Sequence, residues 1–535
     1  MPLVPLKPFK TPRKAAAAQV VQMQNNPPPT GGLNLRDPIS NMAPNDAIIL
    51  DNFIARQQGV ELRKGWKYFT DAEEGVTEFK SVFAYNVDTS ANRKIFAAFD
   101  GDIYDVTSGT PTLVVNNTGS TTDQWWTVQF STPARSYLLA VSPGAGYWTY
   151  DSVGGWVNRT SLTTGLPSNV RTVSVWKRRI WFTCVDDPQA YYMRTADAIQ
   201  GNADPFPMGS VLRNGGSVSA VLNWTVDAGA SIDDYMVVIG TEGDIGLWEG
   251  TDPTSVNTFG LKGVWYIGPV PKYGVYFTPF GGDVMILSVQ GLIPLSKLIS
   301  GQYNELAAQT MPSSKIQPAI TPLLSELRNA QSWDVFAVPS ESVIILKLPM
   351  DSYGQYRQFV MNTITGAWST FSNMPMLAAT LLDGQLYFST PDGRIAKGLY
   401  GNYDAVETDG TGSDAVEGDV QTAFNPYGTP ANQKQFSMTR PIFIAKDAPS
   451  VKLVLNTQYA FNNVAGSPSF TGPTTSVWNT SSWNSAYFAG ISGTYQAWVG
   501  VSGLGYYGSL RMKVRGLPGT LFTSAHVMYQ VGGIM

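Results

Sequence analysis

The sequence is poor in the residue types that build most catalytic and metal sites. Its 535 residues include one cysteine, Cys184, and one histidine, His526. A single cysteine excludes an intramolecular disulfide, and the two counts exclude zinc motifs that need several such ligands. Because Cys184 and His526 fall in different predicted domains, we expect no Cys–His catalytic dyad. This usage is typical of a protein that is made and kept in a reducing cytoplasm.

Charged residues and long apolar runs are also scarce. Charged residues make up 14% of the chain and the net charge is −4, against about a quarter charged in ordinary soluble domains. The lack of a basic excess argues against tight binding of nucleic acid. No apolar run approaches the roughly 18 residues of a membrane span. The run Ala15–Ala18 is too short for the apolar part of a signal peptide, so we expect neither a span nor a leader.

Glycine, proline and aromatic residues are plentiful instead. The 52 glycines, 35 prolines, 15 tryptophans and 25 tyrosines indicate short strands joined by many turns. Low charge with many aromatics suits a large β protein. It equally suits a chain whose surface is partly covered by other subunits. Composition alone leaves both interpretations open.

A strand–turn–strand pattern recurs along the chain and is clearest at Lys94–Val106. Apolar residues alternate there with their neighbours as in a buried strand, and Asp100-Gly101 supplies a two-residue hairpin turn. The first apolar residues of the seven copies are Ile95, Leu138, Ile180, Met236, Met285, Ile344 and Leu386. Their spacing of roughly 40 to 60 residues is the period of propeller blades.

We therefore predict an all-β chain. Single sheets of this kind cannot bury both faces, so they stack around an axis. The prediction is an irregular six- or seven-bladed β-propeller over 79–400, followed by a β-sandwich-like domain over 435–535. Two packed sandwiches are the alternative for the repeated region. In the C-terminal domain, one set of aromatic residues suits a sugar-stacking platform, a core or an interface: Trp478, Trp483, Tyr487, Trp498 and Tyr506.

The segments before the propeller have different compositions. Residues 1–30 form an extended arm with no acidic residue, and its cations are Lys7, Lys10, Arg13 and Lys14. The arm is a solvated tail, a clamp on a neighbouring subunit or a contact to DNA phosphates. Of the clamp and the DNA contact, the clamp is favoured because four charges alone bind DNA weakly.

In the opening segment, 31–78, Asn45-Asp46 predicts the cap of a short helix over Ala47–Asn52. Gln58-Gly59 predicts a hairpin turn before Val60–Arg63.

An acidic, glycine-rich connector is predicted over 401–434, with no lysine or arginine before Lys434. Its acidic residues are Asp404, Glu407, Asp409, Asp414, Glu417 and Asp419. A solvated linker is the default interpretation, and an acidic surface facing a channel is the functional one. Calcium binding is disfavoured because the fixed ligand positions of the twelve-residue calcium loop are absent.

Sequence signatures of catalysis are missing. The chain has no sialidase blade signature, nucleophile elbow or phosphate-binding loop. Neither Asp186-Asp187 nor Asp233-Asp234 can be placed at the separation that glycoside cleavage requires. We assign no catalytic, metal-binding or cofactor-binding residue and predict that the protein is not an enzyme.

One stretch resembles a known family. Gly31–Trp66 combines Gly-Gly-Leu-Asn, Asp-Pro, Pro-x-Asp-Ala and a glycine-bearing hairpin that ends in Arg-x-Gly. Lys434–Pro441 adds Lys-x-Phe-x-x-x-Arg-Pro. This arrangement resembles the tail proteins of short-tailed bacteriophages (podoviruses), namely the nozzle or tail tubular protein B and the related hub and DNA-stabilising proteins.

The resemblance implies a structural role in the virion tail, with assembly in the cytoplasm of the host bacterium. It implies a hexameric ring below the portal–adaptor (the head–tail connector) that extends the DNA ejection channel, retains packaged DNA and anchors tail fibres or tailspikes. Genomic DNA would pass without sequence-specific binding, since a channel rich in lysine and arginine would grip it. The alternative is a carbohydrate-binding or carbohydrate-cleaving propeller of a phage tail fibre.

Overall fold

The computed structural model describes residues 21–86, 89–227, 232–255, 257–301, 311–412, 414–428, 430–470 and 493–532. The chain is all-β, as predicted. Its described helices are short: Ile39–Asn41, Ser90–Asn92, Thr160–Leu162, Leu295–Ile299, Gln317–Leu327 and Pro339–Glu341. In this described part, no helix has both the length and the apolar character needed to cross a membrane.

Seven antiparallel sheets follow one another along the propeller, numbered here in chain order. Sheet 1 contains Ser81–Tyr85, Lys94–Phe99, Asp102–Asp105 and Thr112–Val115, and sheet 2 contains Trp126–Ser131, Ser136–Ser142, Gly146–Asp151 and Gly155–Asn158. Sheet 3 contains Val170–Trp176, Arg179–Cys184, Gln189–Met193 and Gly201–Pro207, with Thr163–Thr164 added in parallel at its edge. Sheet 4 contains Val218–Asp227, Ile232–Gly240, Asp244–Gly250 and Phe259–Tyr266.

Sheet 5 is the shortest, with Phe277–Phe280, Asp283–Ser288 and Gly291–Pro294. Sheet 6 contains Asp334–Val338, Val343–Lys347, Gln358–Asn362 and Trp368–Phe371, and sheet 7 contains Ala379–Leu382, Gln385–Ser389, Ile395–Gly398 and Lys67–Tyr68. Without the strands that join sheets 3 and 6 in parallel, six of these sheets have four strands and one has three, which confirms the predicted propeller of six or seven blades. The first strands contact one another between sheets 7 and 1, 2 and 3, 3 and 4, and 5 and 6, which places the first strands around the axis.

The hairpin pattern in the sequence located the sheets correctly. Each of the seven aligned apolar residues lies on the second strand of its sheet. At the turn of sheet 1, Asp100 and Gly101 have φ of 50° and 80°. Positive φ at both central residues is what a two-residue type I′ hairpin requires. Apolar clusters between adjacent sheets, such as Phe83, Phe96 and Leu138 between sheets 1 and 2, hold the propeller together.

The opening segment closes the propeller. Its strand Lys67–Tyr68 pairs with Ile395–Gly398 as the fourth strand of sheet 7. The guanidinium of Arg394 lies 3.3 Å from the centre of the Tyr68 ring. A strand from before the first sheet therefore completes the last one, and the ring of sheets closes without a free edge at that point.

The predicted helix over Ala47–Asn52 is wrong, because Asp46–Asp51 is a β-strand. The strand pairs antiparallel with Glu417–Thr422 and touches Trp368–Phe371 of sheet 6 in parallel. Its Ile-Ile-Leu sequence suits a sheet, and partners on both sides outweigh a local capping preference. The Asp46 carboxylate accepts hydrogen bonds from Asn34 and Lys315.

The C-terminal strands form two sheets that share one core with the opening segment. One sheet contains Val21–Asn26, Phe53–Ala55, Val60–Leu62, Lys434–Ala445, Gly493–Gln496, Val499–Gly505 and Leu521–Val531. The other contains Gly32–Leu33, Asp46–Asp51, Glu417–Thr422, Ser450–Thr457 and Gly508–Arg515, and it continues into sheet 6. A separate ribbon pairs Tyr403–Asp404 with Asp414–Ala415. The predicted turn at Gln58-Gly59 joins Phe53–Ala55 to Val60–Leu62.

Candidate functional site

The acidic residues predicted between 401 and 434 are largely neutralised by cations from other elements. Four of the six are ion-paired: Asp404 with Arg63, Glu407 with Arg394, Glu417 with Lys513 and Arg515, and Asp419 with Arg511. Asp409 accepts hydrogen bonds from the amide and hydroxyl of Thr411, and Asp414 is exposed on its ribbon. The segment thus does not present six unpaired carboxylates together, although it contains no basic residue of its own before Lys434.

The other predicted site residues fall largely outside the described residues. These are the arm cations Lys7, Lys10, Arg13 and Lys14 and, in the C-terminal domain, Trp478, Trp483 and Tyr487. Of the remaining aromatic pair, Trp498 is partly exposed and carries the Arg440 guanidinium 4.9 Å from its ring centre. Tyr506 lies at the end of the strand Val499–Gly505.

Arg63 is the most extensively bonded cation between the opening segment and the rest of the chain. Its side chain is fully buried. Two N–H groups donate to the two carboxylate oxygens of Asp404 at 2.8 Å each. The remaining three donate to the Asn52 side chain and the carbonyls of Lys64 and Ser372. All five guanidinium donors are therefore used, the complete satisfaction that a buried arginine needs.

A cavity of about 290 Å³ lies on the propeller axis, where the first strands of the sheets begin. Strands of five of the seven sheets contribute to its wall, and the segment before sheet 5 adds Tyr273, Gly274 and Val275. Among the lining residues are Lys80, Trp125, Arg171, Tyr273, Asp334 and Lys347. Sequence reasoning missed this site, which we call the axial cavity.

Two deeply buried cations face the axial cavity. Lys347 is 2% exposed and Arg171 is 9% exposed. The Lys347 ammonium donates to the carbonyls of Ser332 and Leu377. The Arg171 guanidinium donates to the carbonyl of Lys272 and lies over the Tyr273 ring. Burial lowers the pKa of Arg171 below its ordinary value and lowers the pKa of Lys347 to about 8.

Asp334 in the same wall predicts a pH dependence of stability. Burial raises its pKa from 3.8 to about 7, with Lys347 opposing the rise. The folded protein thus binds a proton that the unfolded chain has released between about pH 4 and pH 7. Stability from this group is complete at low pH and is lost as the pH rises to about 7. Because Asp334 is partly open to the cavity, we expect a loss of about 1–2 kcal/mol.

Urea unfolding of the wild type and of Asp334→Asn between pH 4.5 and 7.5 checks this expectation. The variant keeps a neutral side chain at every pH, so its unfolding free energy should fall less steeply than that of the wild type. Parallel curves for the two proteins would show that Asp334 titrates in the folded state as it does in the unfolded chain.

The described residues place no group of three or more histidine, cysteine, aspartate or glutamate side chains where it could hold a metal ion. The free cysteine, Cys184, is buried, and burial raises the pKa of its thiol to about 12.

Comparisons with known proteins leave the family open. No protein family and no curated protein matches the sequence. The structure is similar to the extracellular domain of BT4673 from B. thetaiotaomicron, with 7% identity and a TM-score of 0.34 over 62% of this chain. This chain spans only 39% of that one. It is also similar to BBS1N in its complex with ARL6DN, with 10% identity, a TM-score of 0.37, and coverage of 63% of this chain and 98% of that one.

Proposed function

We propose that the chain is a structural protein of a short-tailed bacteriophage virion, a subunit of the nozzle or hub ring of the tail. In this role it extends the DNA ejection channel below the portal–adaptor, helps to retain packaged DNA and anchors fibres or spikes. The proposal assigns it no catalytic residue. The resemblance to these tail proteins lies in Gly31–Trp66. These residues support the proposal because their contacts determine how the opening segment folds.

Each part of that motif has a structural task. Gly32 has φ of +78°, and a Cβ there would lie 2.7 Å from the backbone nitrogen and oxygen of Trp368. Asn34 donates to both Asp37 of the Asp-Pro pair and Asp46 of the Pro-x-Asp-Ala sequence. Arg63, in Arg-x-Gly, forms the buried pair with Asp404. The motif therefore joins the propeller to the C-terminal sheets. Such a connection fits a protein that forms the rigid wall of a channel.

The dimensions of the axial cavity argue for a channel between subunits. At about 290 Å³ and lined by residues of five sheets and of the segment before sheet 5, the cavity is far too small for a DNA duplex, whose major groove alone is about 12 Å wide. DNA would therefore pass through the opening of a ring of several copies, not through the propeller itself. Rings of identical subunits close through heterologous contacts without leaving an unpaired surface.

The same proposal assigns positions in the ring to the N-terminal arm and to the exposed acidic residues. In the ring, Lys7, Lys10, Arg13 and Lys14 would contact a neighbouring subunit. Carboxylates that remain exposed, such as Asp409 and Asp414, would face the channel, where they repel phosphates and leave DNA mobile.

Light scattering of the purified full-length chain, alone and mixed with the portal–adaptor ring, tests the proposal. We expect a closed ring, hexameric if the resemblance holds, in at least the mixture. A matched sample in which the four arm cations are replaced by serine should form the ring less completely. A chain that stays monomeric with the adaptor, and that retains or hydrolyses polysaccharide, would favour the carbohydrate-active tail-fibre propeller instead.

A further inference from the structure

The axial cavity has an excess of positive charge and of hydrogen-bond donors. Its charged lining residues are the cations Lys80, Arg171 and Lys347 and the single carboxylate Asp334. Lys80 reaches Asp123 at 4.0 Å. For Arg171 and Lys347, no ion pair within 4.0 Å forms with any described residue. The indole N–H of Trp125, also in the wall, is buried without an acceptor among the described residues.

Such an arrangement is costly when the cavity contains only water. A buried cation needs an opposite charge or full hydrogen bonding to offset its lost hydration. Backbone carbonyls supply only part of that for Lys347 and Arg171. Elsewhere in the chain the buried Arg63 has a bidentate carboxylate. Asp334, opposite Lys347 across the two strands, favours its ammonium electrostatically, but neither axial cation has a carboxylate bound to it as Arg63 has. The contrast points to a separate molecule as a further partner of the axial cations.

We propose that the axial cavity binds a small oxyanion, the carboxylate or phosphate group of a low-molecular-weight compound. Oxyanions accept hydrogen bonds and donate none when fully ionised, so they match the donors of the wall, against which Asp334 is the single carboxylate. Arg171 and Lys347 supply the charge, the Trp125 indole supplies a neutral donor, and the Tyr273 ring supports the guanidinium. The volume of about 290 Å³ is near the lower limit of small-molecule sites, about 300 Å³.

This inference is independent of the proposed role in a virion tail. Trp125, Arg171 and Lys347 lie on or beside sheets 2, 3 and 6, so a bound anion would connect these sheets and stabilise the closed propeller. Binding to the folded state alone raises the unfolding temperature in proportion to the logarithm of ligand concentration above Kd. The site would thus act as a ligand-dependent lock on the propeller.

Thermal unfolding of the full-length chain with inorganic phosphate or citrate, in a buffer whose only other anion is a bulky sulfonate, tests the inference. At least one probe should raise the unfolding temperature, and above Kd the rise should follow the logarithm of the probe concentration. A response to phosphate alone indicates a phosphate compound, and a response to citrate alone indicates a carboxylate. Arg171→Met and Lys347→Met should each weaken the Kd by about tenfold or more. Arg357→Met, which removes an exposed guanidinium outside the axial cavity, should leave the Kd unchanged.

A second readout separates a ligand site from a merely structural one. Without anion, Arg171→Met should unfold at the same temperature as the wild type or a higher one, since it removes an uncompensated buried charge. Equilibrium dialysis of the wild type with radiolabelled phosphate or citrate measures binding even if a variant fails to fold. The inference is overturned if neither probe binds saturably, or if Arg171→Met and Lys347→Met respond to the probes as the wild type does.

Discussion

Replacing Arg63 by methionine will lower the free energy of unfolding by about 3–5 kcal/mol, the usual cost of removing one partner from a buried ion pair. The substitution keeps an apolar chain of similar length but removes all five hydrogen bonds of the guanidinium. Asp404 is then left buried without its cation. Burial already raises the pKa of Asp404 with Arg63 in place, so its carboxylate is poorly accommodated alone.

Urea denaturation followed by tryptophan fluorescence measures this effect. Arg515→Met is the matched control, because Arg515 also pairs with a carboxylate, Glu417, but its side chain is 62% exposed. Exposed pairs are worth about 0–1 kcal/mol. The double variant Arg63→Met/Asp404→Leu should regain part of the loss, since it removes both buried charges. Equal losses for Arg63→Met and Arg515→Met would contradict the structural role given to Arg63.

The sheets could be predicted from the sequence because their signals are local. Alternating apolar residues and a turn such as Asp100-Gly101 lie within a dozen residues of one another. The structure of the opening segment could not be predicted from such local signals. Asp46–Asp51 follows a capping signal, but its strand partners come from Glu417–Thr422 and Trp368–Phe371. Pairing with such distant strands overrides the local preference for a helix. The sequence around residue 46 contains no signal of this pairing.

The ion pairs of the acidic residues could not be predicted either, because their partners are also distant in sequence. The acidic stretch contains no cation before Lys434, which favours a solvated or channel-facing segment when the stretch is considered alone. Asp404 nevertheless pairs with Arg63, 341 residues earlier, and Glu417 pairs with residues near the C-terminus. The net charge of a segment therefore does not predict the charge of its surroundings in the folded chain, because distant residues pack against it.

The axial cavity was missed for a related reason. Its cations belong to different sheets, and each is a single charged residue at the boundary of an apolar strand. Lys347 offered one signal, because it ends the otherwise apolar strand Val343–Lys347. A lysine at that position is either at the surface or in a cavity, and only the arrangement of sheets around the axis decides between them.

Replacing Gly65 by alanine should cost about 3 kcal/mol, at the upper end of the range for overpacked sites. A Cβ at Gly65 would lie 1.9 Å from the carbonyl oxygen of Tyr403 and 2.3 Å from its carbonyl carbon. Both are backbone atoms, so no side-chain rotation relieves the contact. Trp66 donates its amide to the same carbonyl, and Tyr400 donates its amide to the carbonyl of Gly65. The clash would therefore push apart the two chain segments that meet beside sheet 7.

Gly209→Ala is the control for this substitution. A Cβ at Gly209 meets no atom within 4 Å, and the residue lies outside the positive-φ region. Alanine there should be neutral or stabilising by about 0.4–1 kcal/mol, because it restricts the unfolded chain. Urea unfolding of both variants gives the comparison. If Gly65→Ala unfolds at the same urea concentration as Gly209→Ala, the Gly65–Tyr403 crossing is looser than the structure has it. The Arg-x-Gly sequence would then need another explanation than close backbone approach.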